Sequence, residues 1–291
     1  VKIARVTDST AALLDIDPAS RWHVVPLEVE IDGARYREGP ELTAAALQLR
    51  IQQVNTPPTT LPPTVETFIA TYESILERDD AILSIHLSGE LSDTVENARA
   101  AAGRLGAGDR VVVFDSRLAG AAVGLLCAEA EARLEEGESL DTIVSALEGI
   151  VAATQAYFSV YTLDYLYLGG RLERQPRPGP GSADDRPILA LEEGRLGLVE
   201  RVMGETTRVE RILELIESRV CRDESLVTAI VHAGKRGEVA AERLEEALTQ
   251  ERVRPARCYR APLGPVLCAH TGFDVCGVAV YPHHLSALRD R

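Results

Sequence analysis

Positive charge is scarce in this chain. Its 31 Lys and Arg stand against 45 Asp and Glu, a net charge of −14 over 291 residues. Nucleic-acid binding rests on neutralising phosphates with Lys and Arg, so no nucleic-acid partner is expected. The same balance argues against attachment to an anionic membrane surface. Cysteine builds no framework. Cys127, Cys221, Cys258, Cys268 and Cys276 are odd in number, scattered and free of any CxxC spacing, so buried free thiols are expected rather than disulfides or zinc. No apolar run reaches the roughly 18 residues of a membrane span, and no stable membrane insertion is expected. No secretory leader opens the sequence, which points to the cytoplasm. The signatures GxSxG, HExxH, Walker A and GxGxxG are missing. The histidines lie far apart, and nothing demands a metal.

What is present is a soluble globular composition, 45% hydrophobic and 26% charged. The length suits one large domain or two ordinary ones. Compact apolar runs, "AILSIHL" (81–87) and "RVVVFDS" (110–116), read as buried strands and alternate with helical segments. That alternation predicts an α/β fold, with a mainly parallel sheet flanked by helices in the first part. "HVVPLEVEIDG" (23–33) reads as β-rich and ends in an Asp-Gly turn, and "NTPPTTLPPT" reads as a proline-rich loop. Beyond residue 158, hairpin and crossover signals mix, as around Glu193-Gly194. A second α/β domain with a mixed sheet is expected there, giving units 1–158 and 159–291.

In parallel sheets ligands sit where strand ends lead into helix N-termini. Three hydroxyl-bearing turns, 7–10, 88–94 and 115–116, fall at such ends. In "SIHLSGELSDTVENA", Asp93-x-x-Glu96 has capping-box character. Ser92 and Asp93 are therefore either a helix cap or part of an anion site. Thr59 and Thr60 are loop residues or ligands. His270, between an apolar strand and Gly272, is a core histidine or a ligand. Arg171, after Gly169-Gly170, is a solvated turn charge or a contact.

Seven segments, in order, resemble the DegV family: "VTDSTAAL", "PTTLPPTVETFIATY", "SIHLSGELSDTVENA", "VVVFDSRLAGAAVGLL", "FSVYTLDYLYLGGRL", "RPILALEEGRL" and "GPVLCAHTGFDVCGVAV". The resemblance implies two α/β domains holding a long-chain fatty acid, with no other cofactor. Residues 1–158 would form most of the pocket and residues 159–291 would close it. It implies that Thr60, Ser92 and His270 surround the acyl carboxylate, with Thr59, Thr94 and Thr271 as secondary candidates. It implies that Arg171 contacts a separate fatty acid kinase, and that the protein is a binding partner in phospholipid metabolism rather than an enzyme. About fifteen methylenes at roughly 0.8 kcal/mol each offer some 12 kcal/mol before ordering costs, so the carboxylate can be held without an Arg clamp. The rival expectations are a small Ser92/His270 hydrolase or acyl transferase, and a lipid sensor without a kinase.

The chain departs from the family pattern in places. Leu61 and Pro62 replace Ser and Gln, Asp93 stands where the family has glycine, and Met203 replaces an Arg. "ERQPRPGPGSADDR" (173–186) occupies the place of an apolar helix and cannot form a normal one. A loop and a compensated frameshift in the recorded gene are the two explanations. Acyl length, saturation and oligomeric state are not encoded in any motif.

Overall fold

Alternation of strand and helix shapes the first half of the computed structural model, which describes residues 1–13, 22–53, 56–173, 184–220, 224–250 and 255–288. The elements here are β1 (Ile3–Asp8), β2 (Trp22–Val25), β3 (Glu28–Ile31), β4 (Ala34–Arg37), α1 (Ala44–Ile51), β5 (Thr59–Leu61), α2 (Val65–Leu76), β6 (Ala81–His86), α3 (Thr94–Arg104), β7 (Val111–Asp115), α4 (Ala121–Glu135) and α5 (Leu140–Ala153). Strands β2-β1-β6-β7 form a parallel sheet in that order. All six β6 residues are buried, as expected of a central strand covered on both faces. Phe68, Tyr72 and Ile75 on α2 pack beneath it at helical spacing.

The β-rich run 23–33 divides into β2 and β3. Asp32 and Gly33 both adopt positive φ (53° and 72°), the geometry that joins β3 tightly to β4. The proline-rich segment is not simply a loop. Its prolines flank β5, an edge strand paired with β3 in a three-stranded antiparallel sheet of order β4-β3-β5.

The second half contains β8 (Gln155–Ser159), α6 (Asp164–Leu168), β9 (Asp185–Glu192), β10 (Arg195–Met203), α7 (Glu205–Glu217), β11 (Leu226–Ala233), α8 (Gly234–Gln250), β12 (Pro255–Pro262), α9 (Pro265–Thr271) and β13 (Val275–Pro282). A mixed sheet of order β10-β9-β8-β13-β11-β12 results, in which only β11 and β12 are parallel neighbours. The β9–β10 turn lies at Glu193-Gly194 as expected. Residues 174–183, the core of the divergent segment, lie outside the described residues.

Helix α4 explains how the two sheets come together. Ten consecutive residues, Ala121 to Ala130, are buried, which marks a helix enclosed on all sides. Leu125 and Leu126 share one core with Leu83 and Ile85 of the parallel sheet and with Val227 and Ala229 of the mixed sheet. The opposite face of the mixed sheet carries Tyr157, Ile230 and Val278 against α7 and α8. The described cysteines, Cys127, Cys258, Cys268 and Cys276, are free thiols.

Candidate binding cavity

Side-chain alternation and strand register build the cavity floor. On the face toward α4, Val231, Gly277 and Phe158 form one row across β11, β13 and β8, and Ala229, Ala279 and Ala156 form the next. These rows leave space where ordinary strand residues would fill it. Leu87 and Leu91 cover it from the β6–α3 turn, and Leu191 and Leu196 from the β9–β10 hairpin. Gly120 at the start of α4 has φ +62°, and a Cβ there would press on Leu263 and Leu267. The space between protein atoms, mouth and adjoining solvent included, is about 980 Å³.

Polar groups gather at one end. Thr60, Ser92, Arg171, His270 and Thr271 all line the cavity. Thr60 Oγ1 lies 2.7 Å from His270 Nε2. His270 sits in the last turn of the short helix α9, not beside a strand as expected. Burial pushes its imidazole down to about 4, and the Arg171 charge adds to the effect, so the ring is neutral at neutral pH. Its Nδ1 is buried and has no hydrogen-bond partner among the described residues. The reason is packing: a Cβ on Gly169 would lie 2.3 Å from that nitrogen. Gly170 then turns the chain with φ +69°, and together the two glycines deliver Arg171 to the mouth.

Arg171 donates from Nε to the Leu91 carbonyl at 3.1 Å and from Nη1 to the Gly169 carbonyl. Burial lowers the pKa of its guanidinium, while the nearby Asp93 charge works in the opposite direction. The mouth therefore presents a cation as well as neutral donors. Asp93 is exposed and makes no side-chain cap bond, so the expected capping box does not form. Ser92 takes over this role: its Oγ lies 2.9 Å from Thr94 Oγ1 and accepts from the Thr94 N–H at 3.4 Å.

The secondary candidates separate. Thr271 lines the cavity and donates back to the Leu267 carbonyl at 3.0 Å. Thr94 is buried behind Ser92, and Thr59 is exposed, one residue out of phase with Thr60 along β5. Ser88 has a different task. Its Oγ donates to the Gly194 carbonyl at 2.8 Å, and Arg195 pairs with Glu90 at 2.8 Å. The first half of the 88–94 turn thus holds the hairpin down, and the second half faces the cavity.

The buried acid Glu38 escaped sequence reasoning, and buried Asp8 was legible only as part of the 7–10 turn. Glu38 accepts from Ser9 Oγ and from the Val266 N–H at 3.2 Å, anchoring the start of α9. Burial raises its carboxyl to about 7. Asp8 ends β1 and accepts from the Leu87 N–H at 3.0 Å; its Oδ2 lies 3.1 Å from His86 Nδ1. Burial opposes its ionisation, yet these bonds and those from Thr10 hold it below the usual carboxylate range. Ser84 Oγ continues the chain at 2.7 Å from His86 Nε2. This Ser84-His86-Asp8 series has no solvent exposure and ties β1 to β6.

His270 and Glu38 have opposed pH dependences. As pH falls through 6.5, the unfolded chain protonates His270 before the folded one does, so stability is lost toward pH 4. For Glu38 the folded form keeps its proton longer, so stability is lost as pH rises from 4.5 to 7. Between 4.5 and 6.5 the two slopes offset each other. Glu38→Gln is expected to expose the His270 slope, about 1.4 kcal/mol of added stability per pH unit of increase. Urea unfolding across this window tests it; identical slopes in variant and parent would contradict it.

Among the described residues, no three His, Cys, Asp or Glu side chains gather as a metal site. No described helix is long and apolar enough to cross a membrane. A sequence model described as "Uncharacterised protein, DegV family" matches residues 2–283. The chain belongs to the DegV family. A DegV domain-containing protein of Listeria innocua is 34% identical over 281 residues, covering 95% of this chain and 97% of its own. A Thermus thermophilus DegV family structure, described by its fatty acid binding, superposes with TM-score 0.88 at 32% identity, covering 97% of this chain and all of its own. The structure of Bacillus subtilis DegV, described as a fatty acid binding protein, superposes with TM-score 0.81 at 28% identity, covering 97% and 99%.

Within this DegV protein, the α/β architecture with a parallel four-stranded sheet and a separate mixed sheet matches those structures. Arg171, read from the sequence as a solvated turn charge or a contact, is half-buried in the cavity lining. The Gly169-Gly170 pair was the available signal, because it marks a close approach and a forced turn.

Proposed function

We propose that this protein binds a long-chain fatty acid in the cytoplasm and presents its carboxylate to a separate ATP-dependent kinase. The acyl tail would lie along the alanine-floored cavity. The carboxylate would lie among Thr60, Ser92, His270 and Arg171. Residues 1–158 would supply the roof and much of the pocket, and residues 159–291 would close it with His270 and Arg171. The observation that carries this reading is an apolar cavity whose polar groups, including a cation, converge at one end. The fatty-acid binding of the Thermus and Bacillus relatives supports it. Burial of the tail would supply affinity, while the mouth fixes orientation.

In the kinase reaction a carboxylate oxygen attacks the γ-phosphorus of ATP, and ADP leaves. This chain would hold acid and acyl phosphate, with Arg171 at the point where substrate meets kinase. Incubation with the kinase, ATP and palmitate should yield acyl phosphate, trapped as the hydroxamate. Palmitate binding without any acyl phosphate would remove the kinase role and leave a lipid sensor. The hydrolase reading is less favoured. His270 Nε2 faces Thr60 rather than Ser92, and no group among the described residues orients its Nδ1. Ester turnover lost in Ser92→Ala would restore it.

A further inference from the structure

The end of the cavity remote from His270 shares lining residues with a second cleft. Strand β8 pairs with β9 only from Ser159/Ile188 to Tyr157/Ala190. Beyond that point β8 still pairs with β13 through Ala156 and Gln155, and β9 still pairs with β10 through Leu191 and Glu192. The β8–β9 ladder therefore stops before Ala156 and Leu191, leaving a slot in the pairing at the level of the alanine row. Ala156, Tyr157 and Leu191 line both the cavity and a second, polar cleft on the other side of this slot. Gln155, Arg117, Glu192, Glu193 and Arg219 also line that cleft. Two oxygens there are buried without a hydrogen-bond partner among the described residues, Gln155 Oε1 and Tyr157 Oη. Arg219 pairs with Glu192 at 3.0 Å, so the basic and acidic groups balance.

We infer that the cleft is a second binding site, for a hydroxyl group at the ω end of an acyl ligand whose tail passes through the slot. The inference rests on the fatty-acid reading above and extends it to ω-hydroxy acids. Gln155 Oε1 can accept from such a hydroxyl, and Tyr157 Oη can donate to it or accept from it. A closed apolar tail end would instead bury the hydroxyl unpaired, at a cost of about tenfold in affinity or more. The balanced charge of the cleft favours a neutral hydroxyl over a second carboxylate.

The test compares palmitate, 16-hydroxyhexadecanoate, 18-hydroxyoctadecanoate and hexadecanedioate by calorimetric titration of the full chain. At least one ω-hydroxy acid should bind within about threefold of palmitate. Gln155→Leu lies outside the fatty-acid cavity; it should weaken the ω-hydroxy acids about fivefold or more and leave palmitate unchanged. Discrimination of about tenfold or more against both hydroxy acids, or a Gln155→Leu effect equal on palmitate, would overturn the inference. Hexadecanedioate binding as tightly as the hydroxy acids would also overturn the assignment to a hydroxyl. Failure to bind palmitate at all would instead remove the underlying fatty-acid reading.

Discussion

Ala279→Leu is expected to weaken palmitate binding by roughly 100-fold while leaving octanoate binding nearly unchanged. Ala279 is the middle residue of the alanine row, in register with Ala229 on β11 and Ala156 on β8. All three side chains are directed to the cavity face and line the cavity. A leucine there adds three carbons where the tail would run. Displacing about four methylenes at roughly 0.8 kcal/mol each removes about 3 kcal/mol. A short acid held near the mouth never reaches this row. The substitution fills existing space rather than forcing a packed core apart, so thermal stability should hold or rise. Fluorescence displacement with acids of graded length, alongside thermal unfolding, measures both effects. Unchanged palmitate affinity in a folded variant would place the tail elsewhere.

The second large effect is expected from Arg171→Met, about 10- to 100-fold weaker palmitate binding at neutral pH, the range of a charge-assisted hydrogen bond. His270 is neutral there, with its titration pushed down to about 4, so Arg171 is the cation the cavity lining offers a carboxylate. Arg171 also holds the Leu91 and Gly169 carbonyls, and methionine loses these contacts. Hexadecanol separates the two roles: its affinity should change little, because its head carries no charge. Arg171→Lys should recover part of the palmitate affinity. Asp93→Asn should act in the opposite direction, tightening palmitate by about twofold to fivefold, because an exposed acid beside Arg171 competes with the ligand for that charge. Equal losses of palmitate and hexadecanol in Arg171→Met would reduce Arg171 to a structural contact.

Much of this architecture was legible in local patterns. The fully buried β6, the amphipathic α2, and the turns at Asp32-Gly33 and Glu193-Gly194 each announce themselves through composition and period. Thr60, Ser92 and His270 were identified by resemblance, and all three line the cavity. What escaped was tertiary. β5 is a strand because its main chain pairs with β3, which its proline-flanked side chains do not report. His270 lies on a seven-residue helix too short to show a period. The alanine row depends on the register of three strands distant in sequence, and no window contains it. Glu38 looks like a surface acid until Ser9 and Val266 enclose it. Arg171 read as a solvated turn charge because sequence records the turn made by Gly169-Gly170 but not the direction it sends the next side chain.

The central claim is that the cavity holds a fatty acid with its carboxylate at Thr60, Ser92, His270 and Arg171. Native mass spectrometry of the purified protein tests it most directly. The expected spectrum carries extra mass equal to a long-chain fatty acid, released on denaturation, or acquires it on incubation with palmitate or oleate. A lipid-free protein that takes up neither acid would contradict it.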